Sequence, residues 1–228
     1  MTTSIPADEI WPDIRHSRSR SIGCSPLLVV PLAVLLAASG LASLALKRPI
    51  AAPSSIEAKS RTAAISNVFT PEVQFWASSI QSWANAADMD PDLVAVVMQI
   101  ESCGDPWAIS SAGAVGLFQV MPFHFLGSDD PFAPDTNAKR ALDYLSQSLA
   151  AAQGDARLAL AGYNGGIGLI SEPEWSWPAE TQRYSYWASG IYTDTKSGAS
   201  RSPRLAKWLS AAGEALCQRA GERLDLGS

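Results

Sequence analysis

Glu101 is the residue on which the chemistry of this chain turns. It closes a strongly apolar stretch, Leu93-Val-Ala-Val-Val-Met-Gln-Ile100. A carboxyl there loses water and faces the negative end of a helix dipole. Both effects favour the protonated form and raise its pKa. A carboxyl that stays protonated near neutrality is what glycosidic cleavage needs as general acid. Taken alone, a Glu at a helix end is far more often a solvated surface residue. Nearby, Gln119 and Asn164 each carry a donor and an acceptor, as sugar hydroxyl and acetamido groups require. Gly113 and Gly116 let the backbone turn tightly and approach a ligand. Tyr163 and Tyr184 can stack on sugar or hydrogen-bond a carboxylate, and either also suits an ordinary core.

Helices must position these groups. Thr70-Pro71 is a helix start, with Phe75, Trp76, Ile80 and Trp83 at helical spacing. Asp90-Pro91 opens the helix that carries Glu101, and Cys103-Gly104-Asp105-Pro106 ends it. A third helix is expected from Asn137 to Ala151, with Ala138, Ala141, Leu142, Leu145 and Leu149 on one face. A short fourth follows from Asp155 to Tyr163. Ser202-Pro203 caps a last one, with Leu205, Trp208, Leu209, Ala212 and Leu216 on one stripe. Alternating strand patterns are scarce, so the fold is read as mainly α.

Residues 101–122 read E-S-C-G-D-P-W-A-I-S-S-A-G-A-V-G-L-F-Q-V-M-P. This string resembles the signature of the SLT family of lytic transglycosylases, which are similar in fold to goose-type lysozymes. The family pattern is E-S-x-x-x-P-x-A-x-S-x-x-G-A-x-G-L-x-Q-x-M-P. A second motif, A-Y-N-x-G, is matched by Gly162-Tyr163-Asn164-Gly165-Gly166, with Gly in place of the leading Ala. A third, E-T-x-x-Y, is matched by Glu180-Thr181-Gln182-Arg183-Tyr184. The resemblance covers roughly residues 70–192. It implies a lysozyme-like SLT domain that cleaves the bond between N-acetylmuramic acid and N-acetylglucosamine in peptidoglycan glycan strands. It also implies a one-carboxyl mechanism with Glu101 as acid and base and a 1,6-anhydro product, without cofactor or metal. Substrate contacts are expected at Ser102, Gly116, Leu117, Gln119, Met121, Tyr163, Asn164, Glu180 and Tyr184. Ser102 would orient Glu101 or the acetamido group, and Tyr163 would support the acid. A lysozyme-type hydrolase with a second carboxylate, or a wall-binding protein without catalysis, are the alternatives.

Three cysteines, Cys24, Cys103 and Cys217, show no metal-ligand spacing, and only His16 and His124 could assist. In an oxidising exterior Cys103 and Cys217 could form a disulfide; otherwise they are two buried thiols.

Within the 228 residues the charge is unevenly distributed. Residues 1–48 carry five Arg/Lys against three Asp/Glu, and residues 49–228 twelve against nineteen. An acidic body excludes the basic stripe that nucleic acid demands. Residues 26–46 form a 21-residue run without charge. A helix of that length spans a hydrocarbon core of ~30 Å. The chain therefore reads as a short cytoplasmic segment 1–25, a transmembrane anchor or signal segment 26–46, a linker 47–66, a catalytic domain 67–192 and a C-terminal helical extension 193–228. The expected location is the cell membrane, single-pass with the catalytic domain outside, or secretion after signal cleavage.

Overall fold

In the computed structural model, residues 65–227 are described. They contain eight α-helices: α1 (Pro71–Phe75), α2 (Ala77–Ala86), α3 (Pro91–Glu101), α4 (Pro134–Ala151), α5 (Ala156–Gly165), α6 (Ala179–Lys196), α7 (Pro203–Trp208) and α8 (Glu214–Arg223). Among the described residues, extended pairing is confined to the isolated bridges Ile109–Val115 and Val115–Val120. None of their helices is long and apolar enough to cross a membrane. The expected span at 26–46, the segment before it and the linker up to residue 64 lie outside the described residues.

α3 is the axis of the fold. Every residue from Leu93 to Ile100 is buried, because a helix apolar on all sides must be covered on all sides. α1, α2 and α6 supply that cover. Asp90 caps α3 by accepting from the Asp92 amide at 2.9 Å, and Pro91 fits the first turn, whose amides need no partner within the helix. Asp90 also accepts from the Tyr192 hydroxyl at 2.9 Å and pairs with Lys196 Nζ at 2.6 Å. Burial pushes its pKa up, but these bonds outweigh burial and hold it below the ordinary carboxylate value. The start of α3 is thereby clasped to the end of α6. The end of α3 faces the start of α6, so the two helices run antiparallel.

Several elements differ from the sequence expectation. The helix beginning at Pro71 breaks at Trp76, whose indole donates to the Gly104 carbonyl at 2.9 Å. α6 was not expected at all. Its buried positions, Thr181, Tyr184, Ser185, Ala188, Ile191 and Thr195, keep helical spacing but are half polar. The C-terminal helix is interrupted by a π-turn at Leu209–Gly213. One extra residue in that turn rotates the buried face, so Ala212 is exposed and Gly213, Cys217 and Ala220 are buried instead. The boundary expected at residue 66 also moves. Ile65 is fully packed in the core, and the Ser66 amide donates to Asp92 at 2.7 Å. The segment after residue 192 is no separate appendage either, since α8 packs on α1 and is bonded through Cys217 to Cys103.

Candidate active site

Glu101 is half-buried at the last turn of α3, facing α6. Its pKa is raised to about 8. Burial is the main cause; the Tyr184 hydroxyl beside it lowers the value, and the charge of Glu180 raises it. Tyr184 is buried, and its hydroxyl meets no hydrogen-bond partner at good geometry. It is a neighbour of the acid held just short of a full bond. Tyr163 and Tyr184 both have pKa values pushed well up, first by burial and then by the Glu101 charge. Three side chains from three helices therefore converge: Glu101 from α3, Tyr163 from α5 and Tyr184 from α6.

The loop after Glu101 is stapled from below. Ser102 is fully buried, donates to the Leu117 carbonyl at 2.6 Å and accepts from the Gly104 amide at 3.0 Å. Its hydroxyl is engaged by backbone on both sides and ties the end of α3 to the turn at residues 116–119. Leu117 is likewise fully buried, and its side chain is part of the core. Gly116 is buried too. It has φ +76°, and an added Cβ would lie 2.4 Å from Asn137 Nδ2. Glycine is required there by packing against α4. Asn137 accepts from the Phe118 amide at 3.0 Å and donates to the Val115 and Pro131 carbonyls at 2.9 and 3.0 Å. Sequence reasoning missed it. It begins the apolar face of α4, where a lone amide reads as a surface residue.

Gln119 sits at φ +47° and donates to the carbonyls of Ala108 and Gly116 at 3.2 and 3.0 Å. Its amide nitrogen holds the loop, which leaves its oxygen to meet a ligand. Met121 is half-buried, just before a 3₁₀ turn at Pro122–His124. The Tyr163 hydroxyl donates to the Phe118 carbonyl at 2.8 Å. Its one proton is therefore engaged away from Glu101, whose charge nevertheless reaches the phenol and raises its pKa. Asn164 accepts from Thr181 at 2.9 Å and lies beside the Glu180 carboxylate. Glu180 is itself raised in pKa, chiefly by burial, although neighbouring Asn164 and Arg183 act the other way.

A line of rings leads away from the acid. Tyr163 lies 5.8 Å from Tyr144, Tyr144 lies 4.7 Å from His124, and His124 lies 4.5 Å from Phe123, measured between centroids. Phe123 is 75% exposed, so the line ends in solvent. Burial lowers the His124 pKa, which keeps that ring neutral near pH 7. Such a wall suits the apolar faces of sugar rings. Nothing in the linear spacing of these residues links them, because they come from a loop and two helices.

Cys103 and Cys217 are bonded across a separation of 114 residues. Gln99, fully buried, donates to Cys103 Sγ at 3.0 Å and accepts from the Thr70 amide at 3.2 Å. Glu72 lies within reach of the two sulfurs, but their bond to each other leaves it a lone donor. Asp105 is buried and paired with Arg223 at 3.1 Å, so it anchors α8 and is not free to act as a second catalytic carboxylate.

Residues 78–184 match the family model described as the transglycosylase SLT domain. A protein of Enterobacteria phage PRD1 named "Transglycosylase" is 34% identical over 111 residues, 48% of this chain. The chain spans 40% of the length of that relative.

Proposed function

From the match of residues 78–184 to the transglycosylase SLT domain, we propose that the protein is a lytic transglycosylase acting on the glycan strands of peptidoglycan. The observation that carries this reading is Glu101, a half-buried carboxyl whose pKa of about 8 keeps it protonated at neutral pH. In the proposed reaction Glu101 donates its proton to the oxygen between N-acetylmuramic acid and N-acetylglucosamine. The C1–O bond breaks, and the substrate's 2-acetamido group stabilises the charge developing at C1. Glu101, now a carboxylate, takes the proton of the C6 hydroxyl, and that oxygen bonds to C1. The muramyl end leaves as a 1,6-anhydro sugar, no water is consumed, and Glu101 is again protonated. Burial serves both halves of the cycle, because it keeps the acid protonated and makes its carboxylate a stronger base.

One observation favours a second reading. Glu180 is close enough to act on Glu101 by its charge, and a second carboxylate is what a hydrolase uses to activate water. Mass spectrometry of peptidoglycan digested by the full chain separates the two. Products with 1,6-anhydromuramyl ends, absent with Glu101→Gln, support the transglycosylase. Reducing ends support the hydrolase, and no release by a folded wild-type chain returns the protein to a binding role. Residues 26–46 are proposed to hold the protein at the membrane, with the domain on the side that faces the wall. A fused periplasmic reporter after residue 66 tests that orientation.

A further inference from the structure

A second groove lies on another side of α6 from the acid. It has a volume of about 350 Å³, is lined by Arg157, Glu174, Trp175, Trp177, Gln182, Ser185, Tyr186 and Ser189, and does not include Glu101. Tyr184 points at the acid, whereas Ser185 and Ser189 lie about 100° and about 140° further round the helix. Trp175 is 83% exposed at its rim and Tyr186 52% exposed.

The exposed indole is presented by a fixed turn. Trp177, the second residue after it, is buried, and its indole donates to the carbonyls of Leu169 and Glu172 at 2.9 and 3.1 Å. Ser176 donates to the Pro173 carbonyl at 2.6 Å, and Glu174 is bound by Arg157. Gln182 donates to the Trp177 carbonyl at 2.8 Å, which ties the turn to α6. Tyr186 is held under the Arg204 guanidinium, 3.9 Å from its ring centre. Two exposed aromatic rings thus flank the groove, Trp175 on a turn whose backbone is fixed and Tyr186 with one face held by Arg204. The charged pair within it, Arg157 and Glu174, is internally neutralised, so the groove selects no ion. Ser189 donates its proton to the Ser185 carbonyl at 2.6 Å, so its oxygen, like that of Gln182, can accept from sugar hydroxyl and acetamido N–H groups.

We propose that this groove is a secondary glycan site that stacks uncharged N-acetylglucosamine-type rings on Trp175 and Tyr186, and so holds the polymer while the acid cuts elsewhere along it. The choice of polymer rests on the function proposed above, whereas the binding itself does not depend on catalysis.

The test uses the full chain carrying Glu101→Gln, labelled with 5-fluorotryptophan and titrated with the β-1,4 hexamer of N-acetylglucosamine. Trp175→Phe assigns the Trp175 signal. The expected result is a saturable shift of that signal, weakened about five- to tenfold by Tyr186→Ala, equivalent to about 1–1.4 kcal/mol. An unmoved Trp175 signal at saturating sugar overturns the proposal, and so does a shift that Tyr186→Ala leaves unchanged. In the active chain, Trp175→Ala should slow release from intact sacculi about fivefold and leave cleavage of short soluble fragments unchanged. Equal loss on both substrates, or loss on neither, also overturns it. Cleavage that persists in Glu101→Gln would instead sink the proposed mechanism, while the fluorine result would still stand.

Discussion

The Tyr184 hydroxyl lies against the Glu101 carboxyl without completing a hydrogen bond to anything. A buried hydroxyl left unpaired destabilises a fold, so its presence beside the acid points to the site rather than to packing. Its effect on Glu101 is to favour the carboxylate. Tyr184→Phe removes that effect, so the Glu101 pKa should rise. In the proposed mechanism the acid is protonated when it acts, so activity should fall as pH passes upward through that pKa. The alkaline limb of the kcat/KM profile should therefore move up by about half to one unit, with thermal stability equal or slightly higher. A limb that stays in place would mean Tyr184 is only a core residue.

Glu180 acts in the opposite direction, because its charge raises the Glu101 pKa. Glu180→Gln should shift the alkaline limb down by about half a unit. It should also leave the rate at pH 6 within a few-fold if Glu101 works alone. A fall of about 100-fold or more at every pH, measured on the same peptidoglycan, would assign Glu180 a catalytic part and favour the hydrolase.

How much of this was legible in the sequence varied by element. α3 was readable because a strong cap, Asp90-Pro91, precedes an unbroken apolar run that ends on Glu101. α6 was not readable, because half of its buried face consists of Thr181, Ser185 and Thr195, which look like solvent-facing residues until partners are seen. The motif strings located the site but not the direction of its side chains. Ser102, Gly116 and Leu117 stand in the string as firmly as Gln119, yet they brace the loop from inside. Their partner Asn137 sits on a different helix, and the ring line through Tyr144 and His124 is assembled only by folding. The π-turn at Leu209–Gly213 likewise leaves no spacing signal that separates it from an ordinary helix.

Asn137 holds the loop under Gln119 with three hydrogen bonds to backbone. Asn137→Ala leaves the buried Phe118 amide without a partner and opens a void beside Gly116. The expected cost is roughly 2–4 kcal/mol of stability, seen as a lower midpoint in urea. Activity should fall even where the chain remains folded, because the Phe118 carbonyl also positions Tyr163. Wild-type stability in this variant would show that the Ser102 and Gln119 bonds hold the loop without Asn137.

The bond between Cys103 and Cys217 closes a loop of 114 residues. In the chain-entropy model such a closure contributes roughly 4–5 kcal/mol. For a chain of this size that corresponds to a loss of about 10–15 °C in Tm when both cysteines are replaced by alanine. The acid is positioned by other bonds, since Ser102 fastens the end of α3 to Leu117 and α6 covers it from the side. The double variant should therefore keep its rate at 25 °C within about twofold while unfolding early in a thermal scan, and wild-type protein melted with dithiothreitol should behave the same way. If the variant instead melts normally but loses its rate at 25 °C, the disulfide acts on the geometry of Glu101 rather than on the stability of the fold.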